Sequence, residues 1–239
     1  MFTNQSEYEV RCEWGLEGVT ALVPDSDVMI IVDTISFSTC VDIAAARGAW
    51  VFPYRWRDES SLAFAGLVGA ILATASRTDP DGFSLAPSSM LRLPPEARVV
   101  LPSPNGATLS LATSGCCTFT GCLRNAQAVA AAATKLGRRV GVIPAGERWR
   151  DGGLRLALED WIGAGAIIHH LPGGRYPEAA AAEALFELYA PRLVEVLLAC
   201  SSGKEAAARG SAYDVELAAQ FNSSRCVPQL IDGYYRDVS

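Results

Sequence analysis

The chain has 239 residues, of which 50% are hydrophobic, and a formal net charge of −6 at pH 7. That apolar content can build a substantial core, so we do not expect a disordered protein. The sequence contains no run of Lys or Arg, which argues against nucleic acid as a partner. No stretch reaches the ~20 consecutive apolar residues that a membrane span requires.

The first residues, MFTNQSEYEVRCEW, lack the basic and then apolar layout of a secretory signal, so we expect a soluble, cytoplasmic protein. The seven cysteines lie mostly within apolar segments, which predicts reduced and buried thiols. The Ala-rich helical segments could pair between two copies, and a homodimer is compatible with them.

Strand-like and helix-like patterns alternate in chain order. The strands are predicted at 8–14, 28–32, 49–54, 98–101, 117–120, 139–143 and 226–231. The helices are predicted at 38–47, about 60–75, 107–113, 125–136, 156–171, 177–210 and 213–221. The segment 76–95 is rich in Pro, Ser, Asp and Gly, which is typical of a long functional loop or of a sub-domain junction within one domain spanning 1–239.

This alternation predicts an α/β fold, a three-layer helix/sheet/helix sandwich with a largely parallel or mixed sheet. Strand 28–32 is almost entirely apolar, as expected for a strand that is buried on both faces of a parallel sheet. Ligands of such sheets bind beyond the carboxyl ends of the strands. The loops that directly follow strands are therefore the places where functional residues are expected.

The loop after strand 28–32 carries Asp33, followed by the hydroxyl residues Ser36, Ser38 and Thr39 at a predicted helix start. Helix N-termini attract anions, and a nearby carboxylate can hold Mg²⁺, so this loop is suited to a cation beside an anion. The alternative is structural: Ser38 or Thr39 serves only as an N-cap and Asp33 only as a partner of the helix dipole. The sequence of this loop alone leaves both interpretations open.

Two further loops have a similar character. The loop after strand 98–101 contains Asn105 and Gly106 and again enters a helix, although Asn-Gly is also a common turn. The loop after strand 117–120 contains Arg124, which could hold an oxyanion through its planar guanidinium or could simply be solvated near a helix start.

The last candidate segment follows strand 139–143 and includes Gly146, Glu147 and Arg148, before a helix that opens with Glu159 and Asp160. Acids in the first turn of a helix are common because they suit its dipole. The functional alternative is that Glu159 or Asp160 joins Asp33 around one metal ion.

Several well-known catalytic and cofactor-binding patterns are absent. The sequence has no G-x-G-x-x-G after a strand, no P-loop and no G-x-S-x-G elbow. Its histidines, the neighbours His169 and His170, point about 100° apart on a helix, so one packed and one surface histidine are expected. The cysteines do not have zinc-ligand spacing.

Taken together, the loops resemble the 2-phosphosulfolactate phosphatase family, Mg²⁺-dependent hydrolases of the coenzyme M route. The matching stretches cover most of the chain in the family's order: VDTISFST, LPSPNGATL, GCLRNAQAVA, IPAGERW with LALEDWIGAGAI, and YDVELAAQFNSSRCVPQL. The resemblance implies a phosphoric monoester hydrolase with a three-layer α/β fold, acting on a small acidic metabolite such as 2-phosphosulfolactate. It also implies Mg²⁺ as the cofactor and a small anionic phosphorylated molecule as the substrate.

The resemblance further implies roles for individual residues. Asp33 and Glu159 would be metal ligands or acid–base groups, with Asp160 as a further catalytic acid. The residues expected at the substrate are Ser36, Ser38, Thr39, Arg57, Asn105, Gly106, Arg124, Asn125, Gly146, Glu147 and Arg148.

Two positions depart from the family pattern: Ser36 stands where an Arg is common, and Asn222 stands where an acidic residue is common. Loss of an Arg removes a strong contact to an anion, which we expect Arg57, or else Arg55, to replace from a neighbouring loop. The alternatives are therefore a homologue acting on a different phosphorylated small molecule, or an anion-binding module without turnover. A phosphatase with an aspartate nucleophile is disfavoured, because Ile35 stands where such enzymes carry a second Asp.

Overall fold

A computed structural model describes residues 2–74 and 81–239. Its strands are β1 (Val10–Cys12), β2 (Val28–Val32), β3 (Trp50–Tyr54), β4 (Ile71–Leu72), β5 (Arg98–Pro102), β6 (Cys117–Thr120), β7 (Val140–Pro144), β8 (Glu147–Arg148), β9 (Leu154–Arg155), β10 (Pro228–Ile231) and β11 (Tyr234–Asp237). Its helices are α1 (Gly15–Leu22), α2 (Phe37–Ala46), α3 (Glu59–Val68), α4 (Pro87–Met90), α5 (Gly106–Ala112), α6 (Ala126–Leu136), α7 (Leu158–Ile168), α8 (Pro177–Tyr189), α9 (Leu193–Ala199), α10 (Ser201–Ala208) and α11 (Ala212–Ala218). In the described part of the chain, no helix combines the length and the apolar character needed to cross a bilayer.

The sheet is mixed and has the strand order β1-β7-β2-β6-β10-β11-β3-β5-β4. Two groups of parallel strands, β1-β7-β2-β6 and β3-β5-β4, lie at its two sides. The hairpin β10-β11 joins them through antiparallel pairs with β6 and β3, so the two parallel groups run in opposite directions. The short strands β8 and β9 form a separate antiparallel hairpin.

Helices cover both faces of the sheet, as the side chains of β2 show. Val28, Ile30 and Val32 pack among apolar residues of α6 and α7. Met29 and Ile31 point to the opposite face, where they pack with α1 and α5. Successive residues of a strand point to opposite faces, so a strand covered on both sides must be apolar throughout. The predicted helix/sheet/helix sandwich is confirmed.

Helix α2 lies in the interior of the fold. Its residues from Phe37 to Ala45 are all buried, and Phe37 packs with Val99 and Leu101 of β5 and with Tyr235 of β11. A helix without a solvent-facing stripe must be covered on every side, so it sits deep in the core. The start of α2, which carries the loop after Asp33, is therefore rigidly held.

The structure corrects several predicted boundaries. Helix α3 ends at Val68, where Gly69 adopts a left-handed conformation (φ 60°), instead of running to about residue 75, and the edge strand β4 follows it. The predicted loop at 76–95 lies outside the described residues at 76–80, and its described part contains the short helix α4. The sequence analysis missed α1, whose N-cap residue Trp14 makes no side-chain capping bond and gives no start signal.

Close packing between α7 and α8 depends on Gly165. A Cβ atom there would lie 2.0 Å from the backbone oxygen of Ala182. We expect Gly165→Ala to lower the free energy of unfolding by about 1–3 kcal/mol, because the backbones must move apart. The control, Gly66→Ala in exposed α3, has no atom within 4 Å of the added Cβ and should raise it by about 0.5–1 kcal/mol. Urea unfolding that moved both variants in the same direction would contradict this.

Candidate active site

Four post-strand loops, those after β2, β3, β5 and β7, meet at a cavity of about 340 Å³. We call it the mixed-charge cavity, because acidic and basic side chains line it together. Its lining residues are Asp33, Ile35, Ser36, Arg57, Leu85, Ser103, Pro104, Asn105, Glu147, Arg148, Ser202, Glu205, Ala206 and Arg209. A concave site with converging polar groups is the usual form of an active site.

Asp33 is the most deeply placed acid of this cavity, with only 7% of its surface exposed. Its Oδ2 accepts a hydrogen bond from the Gly106 amide at 2.9 Å, and Oδ1 lies 3.4 Å from the Phe37 amide. Burial, with further contributions from the Glu147 and Glu159 carboxylates, raises the pKa of Asp33 to about 6. Within the described residues, no ion pair neutralises this carboxylate.

Asn105 and Gly106 hold the cavity's acids. Asn105 donates from Nδ2 to Glu147 Oε2 at 2.9 Å, while the Gly106 amide donates to Asp33. A Cβ on Gly106 would lie 2.3 Å from the Phe37 ring and 2.8 Å from Asp33 Oδ2, so only glycine allows this close approach. The Asn-Gly pair is therefore more than a turn. Burial also raises the pKa of Glu147.

Asp160 ties two of the loops together. Its Oδ1 accepts from the Thr34 amide at 2.7 Å and its Oδ2 from the Gly146 amide at 2.9 Å. Burial, and then the charges of Asp33 and Glu159, raise the pKa of Asp160 well above its ordinary value. Asp160 does not line the cavity, and both of its oxygens are engaged by backbone amides. The structure thus gives Asp160 and Gly146 a positioning role instead of the predicted contacts with metal or substrate.

Glu159 lies close behind the cavity wall. It is 2% exposed, its charge raises the pKa values of both Asp33 and Glu147, and its carboxyl group shares a hydrogen bond with the Cys200 thiol. Asp33 and Glu159 therefore lie on the same side of the molecule, as the sequence analysis required. The sequence analysis placed Glu147 at the substrate. In the structure the Glu147 carboxylate raises the pKa of Asp33 more than the Glu159 carboxylate does.

Ser38 and Thr39 fix the backbone at the end of β2. The Ser38 hydroxyl accepts from the Asp33 amide at 2.9 Å and lies 2.7 Å from the Thr120 hydroxyl. Thr39 donates to the Thr34 carbonyl at 2.8 Å. Both side chains are fully buried and do not reach the cavity. They hold the backbone around Asp33, and their predicted contact with phosphate stays a prediction.

Cationic side chains complete the cavity. Arg57 and Arg148 line it as the sequence predicted, and Arg209 joins them from the end of α10. Arg209 pairs with Glu205 at 3.3 Å, and both side chains are more than half exposed. Sequence reasoning missed this pair because Glu and Arg four residues apart on an Ala-rich helix are typical of a solvated face. Ser103 and Ser202 were missed as well, since serine carries no specific signal.

The donor set at the cavity suits a hard cation. Asp33 and Glu147 offer carboxylate oxygens, and Mg²⁺ usually takes one or two protein carboxylates together with water and substrate phosphate. A closed metal cage needs several protein ligands close together. Among the described residues, His169, Glu183 and Glu187 on the surface form such a group, with candidate ligand atoms all within 4.8 Å of one another, whereas the acids of the cavity do not. The acids of the cavity therefore fit the open coordination of Mg²⁺ and not a closed protein cage.

Carboxylates and arginines thus surround one cavity at the ends of strands. A family model described as 2-phosphosulpholactate phosphatase matches residues 20–233. The chain belongs to the 2-phosphosulpholactate phosphatase family. A comparison with curated proteins found no match.

One stretch that resembles the 2-phosphosulpholactate phosphatase family, around Arg124, is structural here. Arg124 Nε lies 2.8 Å from Asp42 Oδ2, and the Ser224 hydroxyl donates to Asp42 Oδ1 at 2.6 Å. Asn125 accepts from the Cys122 amide at 2.9 Å and donates to the Cys226 carbonyl at 3.2 Å. Arg124 and Asn125 thus join α2, α6 and the C-terminal segment, and neither lines the cavity predicted for them.

The two departures from the family pattern lie in different places. Ser36 lines the mixed-charge cavity, and its hydroxyl donates to the Leu85 carbonyl at 2.8 Å. Asn222 lies away from the cavity lining, where its Oδ1 accepts from the Gln127 amide in the first turn of α6 at 2.9 Å. A carboxylate could accept the same bond. Of the two departures, only Ser36 lies at the mixed-charge cavity.

Proposed function

We propose that this protein is a Mg²⁺-dependent phosphatase that hydrolyses the phosphate ester of a small acidic metabolite. The observation that carries the proposal is the position of Asp33, a buried carboxylate beside Glu147 on the wall of a cavity that three arginines also line. Acids without a cationic partner favour a bound cation, whereas the arginines favour an anionic substrate. The family to which the chain belongs supports phosphate ester chemistry.

The protein's own side chains would divide the work by charge. Arg57, Arg148 and Arg209 would bind the oxygens of the phosphoryl and carboxylate groups. Asp33 and Glu147 would hold Mg²⁺, with their carboxylates already positioned by Gly106 and Asn105. The cation, when bound, would neutralise phosphoryl oxygens and lower the pKa of a bound water. The loops would bring the ester into this position, where that water can attack phosphorus.

The direct test is phosphate release by purified protein from 2-phosphosulfolactate and from 2-phospholactate, with Mg²⁺ and with EDTA. We expect release only with Mg²⁺, and recovery when Mg²⁺ is added back after chelation. Calorimetric titration of the same esters separates the competing function. Esters that bind without any release of phosphate would identify an anion-binding module.

Arg57→Ala tests how the cavity compensates for Ser36. Arg57 lines the same cavity as Ser36, so we expect the KM for the ester to rise about tenfold, the usual effect of one lost charged hydrogen bond. The control Arg192→Ala removes a half-exposed arginine on the surface and should leave KM unchanged. An unaltered KM in Arg57→Ala would assign the anion contact to another arginine.

The cellular setting is part of the same proposal. All seven cysteines are free, as expected of a protein that works in the reducing cytoplasm. A place in coenzyme M biosynthesis would require 2-phosphosulfolactate as the native substrate. The phosphate-release assay tests this requirement directly.

A further inference from the structure

A second cavity, of about 520 Å³, adjoins the mixed-charge cavity. The two share four lining residues, Pro104, Asn105, Glu147 and Arg148. The hydrogen bond from Asn105 to Glu147 (2.9 Å) lies on this shared wall. Any molecule bound at the carboxylates of the first cavity therefore has the second cavity within reach.

The second cavity has a polar and an apolar part, and we call it the leucine-lined cavity after the apolar part. Trp14, Leu16, Leu109, Leu154 and Leu156 all contribute to its wall. Leu16 and Leu154 are each 39% exposed, and Leu156 is 55% exposed. Single exposed leucines are ordinary, but several around one concavity mark a surface that a ligand covers.

The shape of this cavity is fixed by backbone packing. Gly146 has φ +68°, and a Cβ atom there would lie 2.7 Å from Leu154 Cδ1 and 2.9 Å from the Arg155 carbonyl oxygen. The hairpin of β8 and β9 is thus held directly against the loop after β7. Trp14, on the wall of the cavity, packs edge to face against Trp161, with 5.9 Å between the ring centroids. This contact holds the Trp14 side chain in place.

The charges around the leucine-lined cavity are mainly acidic. Glu13, Glu17 and the shared Glu147 line it, and the basic residue among its lining is the shared Arg148. These carboxylates would repel a second anionic group on the ligand. The occupant should therefore be an organic group without negative charge.

We propose that the leucine-lined cavity binds an uncharged alkyl or aryl chain of the substrate. This inference rests on the proposed function: phosphate and carboxylate occupy the mixed-charge cavity, while the chain passes Asn105 and Glu147. The substrate class is then the phosphate ester of a 2-hydroxy acid with an apolar side chain.

Three phosphate esters test the proposal, those of lactate, 2-hydroxyhexanoate and 2-hydroxyadipate. The last two have side chains of similar length that end in a methyl group and in a carboxylate. A fully buried methylene contributes at most about fourfold to affinity, so three partly buried ones should give about tenfold. We expect the hexanoate ester to show a KM and a calorimetric Kd about tenfold lower than the lactate ester. The adipate ester should lose this advantage.

Leu156→Asp is the variant of choice, because a half-exposed side chain can change without loss of the fold. It should reduce the hexanoate-to-lactate ratio of affinities to about threefold or less. The control Leu188→Asp alters a leucine of α8 that is 63% exposed, and the ratio should remain near tenfold. Circular dichroism melting of both variants checks that they are folded.

The outcomes separate the two proposals. Equal affinity for the hexanoate and lactate esters, or an unchanged ratio in Leu156→Asp, would overturn the assignment of this cavity while leaving phosphatase activity intact. No phosphate release from any ester with Mg²⁺ would overturn the proposed function. The calorimetric Kd values would still show whether the leucine-lined cavity binds the apolar chain. A dimer that Leu156→Asp dissociates, with ester affinities unaltered, would assign the surface to a second copy and also overturn the inference.

Discussion

Asp33→Asn should abolish phosphatase activity and at the same time stabilise the metal-free protein. Activity should fall by at least about 100-fold, because the amide removes the buried anion that would hold the cation. Asparagine keeps a carbonyl oxygen that can accept the hydrogen bond from the Gly106 amide, which is 2.9 Å from Asp33 Oδ2. The local geometry can therefore persist without the charge.

The gain in stability follows from the pKa of Asp33, which burial raises from 3.8 to about 6. Between pH 4 and 6 the unfolded chain releases this proton while the folded protein retains it, so the free energy of unfolding falls as pH rises through that window. Above pH 6 the buried, ionised Asp33 lowers the free energy of unfolding by about 3 kcal/mol at most. Asp33→Asn should therefore be more stable than the parent by about 1–3 kcal/mol at pH 8, and close to it at pH 4.

Urea unfolding in EDTA at pH 4 and at pH 8 measures this difference, since chelation removes any cation that offsets the charge. Phosphate release with Mg²⁺ gives the activity of the same samples. A variant no more stable than the parent at pH 8 would show that burial of the ionised Asp33 does not destabilise the protein. Full activity in the variant would remove Asp33 from the proposed mechanism.

The sequence predicted the elements around the site well because their signals are local. Strand β2 is apolar in every position, and the helix after it begins close to the predicted residue. Elements that depend on tertiary support were missed, among them α1 and the two-residue strands β8 and β9. The hairpin of β8 and β9 matters most, because β8 lines both cavities. Its two-residue strands have no periodic pattern that sequence analysis could detect.

Which residues face the cavity was less predictable than which loops reach it. Asp33, Asn105 and Glu147 converge as expected, although β5 belongs to the group of strands that runs opposite to β2. Residue type alone cannot distinguish a serine that binds phosphate from Ser38, whose hydroxyl holds the Asp33 amide at 2.9 Å. Residue type also does not reveal that an arginine forms an ion pair with a buried acid, as Arg124 does with Asp42.

Arg124→Met should destabilise the protein strongly without altering substrate affinity. Asp42 is fully buried, and the Arg124 side chain is 12% exposed at 2.8 Å from it. Removing one partner of a buried ion pair typically costs about 3–5 kcal/mol, because the remaining charge is left uncompensated. Methionine preserves much of the apolar stem of arginine, so lost packing contributes little.

The double variant Asp42→Asn with Arg124→Met separates charge from packing. It should recover part of the lost free energy of unfolding, because no isolated charge remains in the core. Urea unfolding measures both variants, and the KM for the ester, taken at a temperature where they are folded, should stay within about twofold of the parent. A tenfold rise in KM at unchanged stability would instead assign Arg124 to substrate binding, since an arginine that binds an anion affects affinity and not the fold.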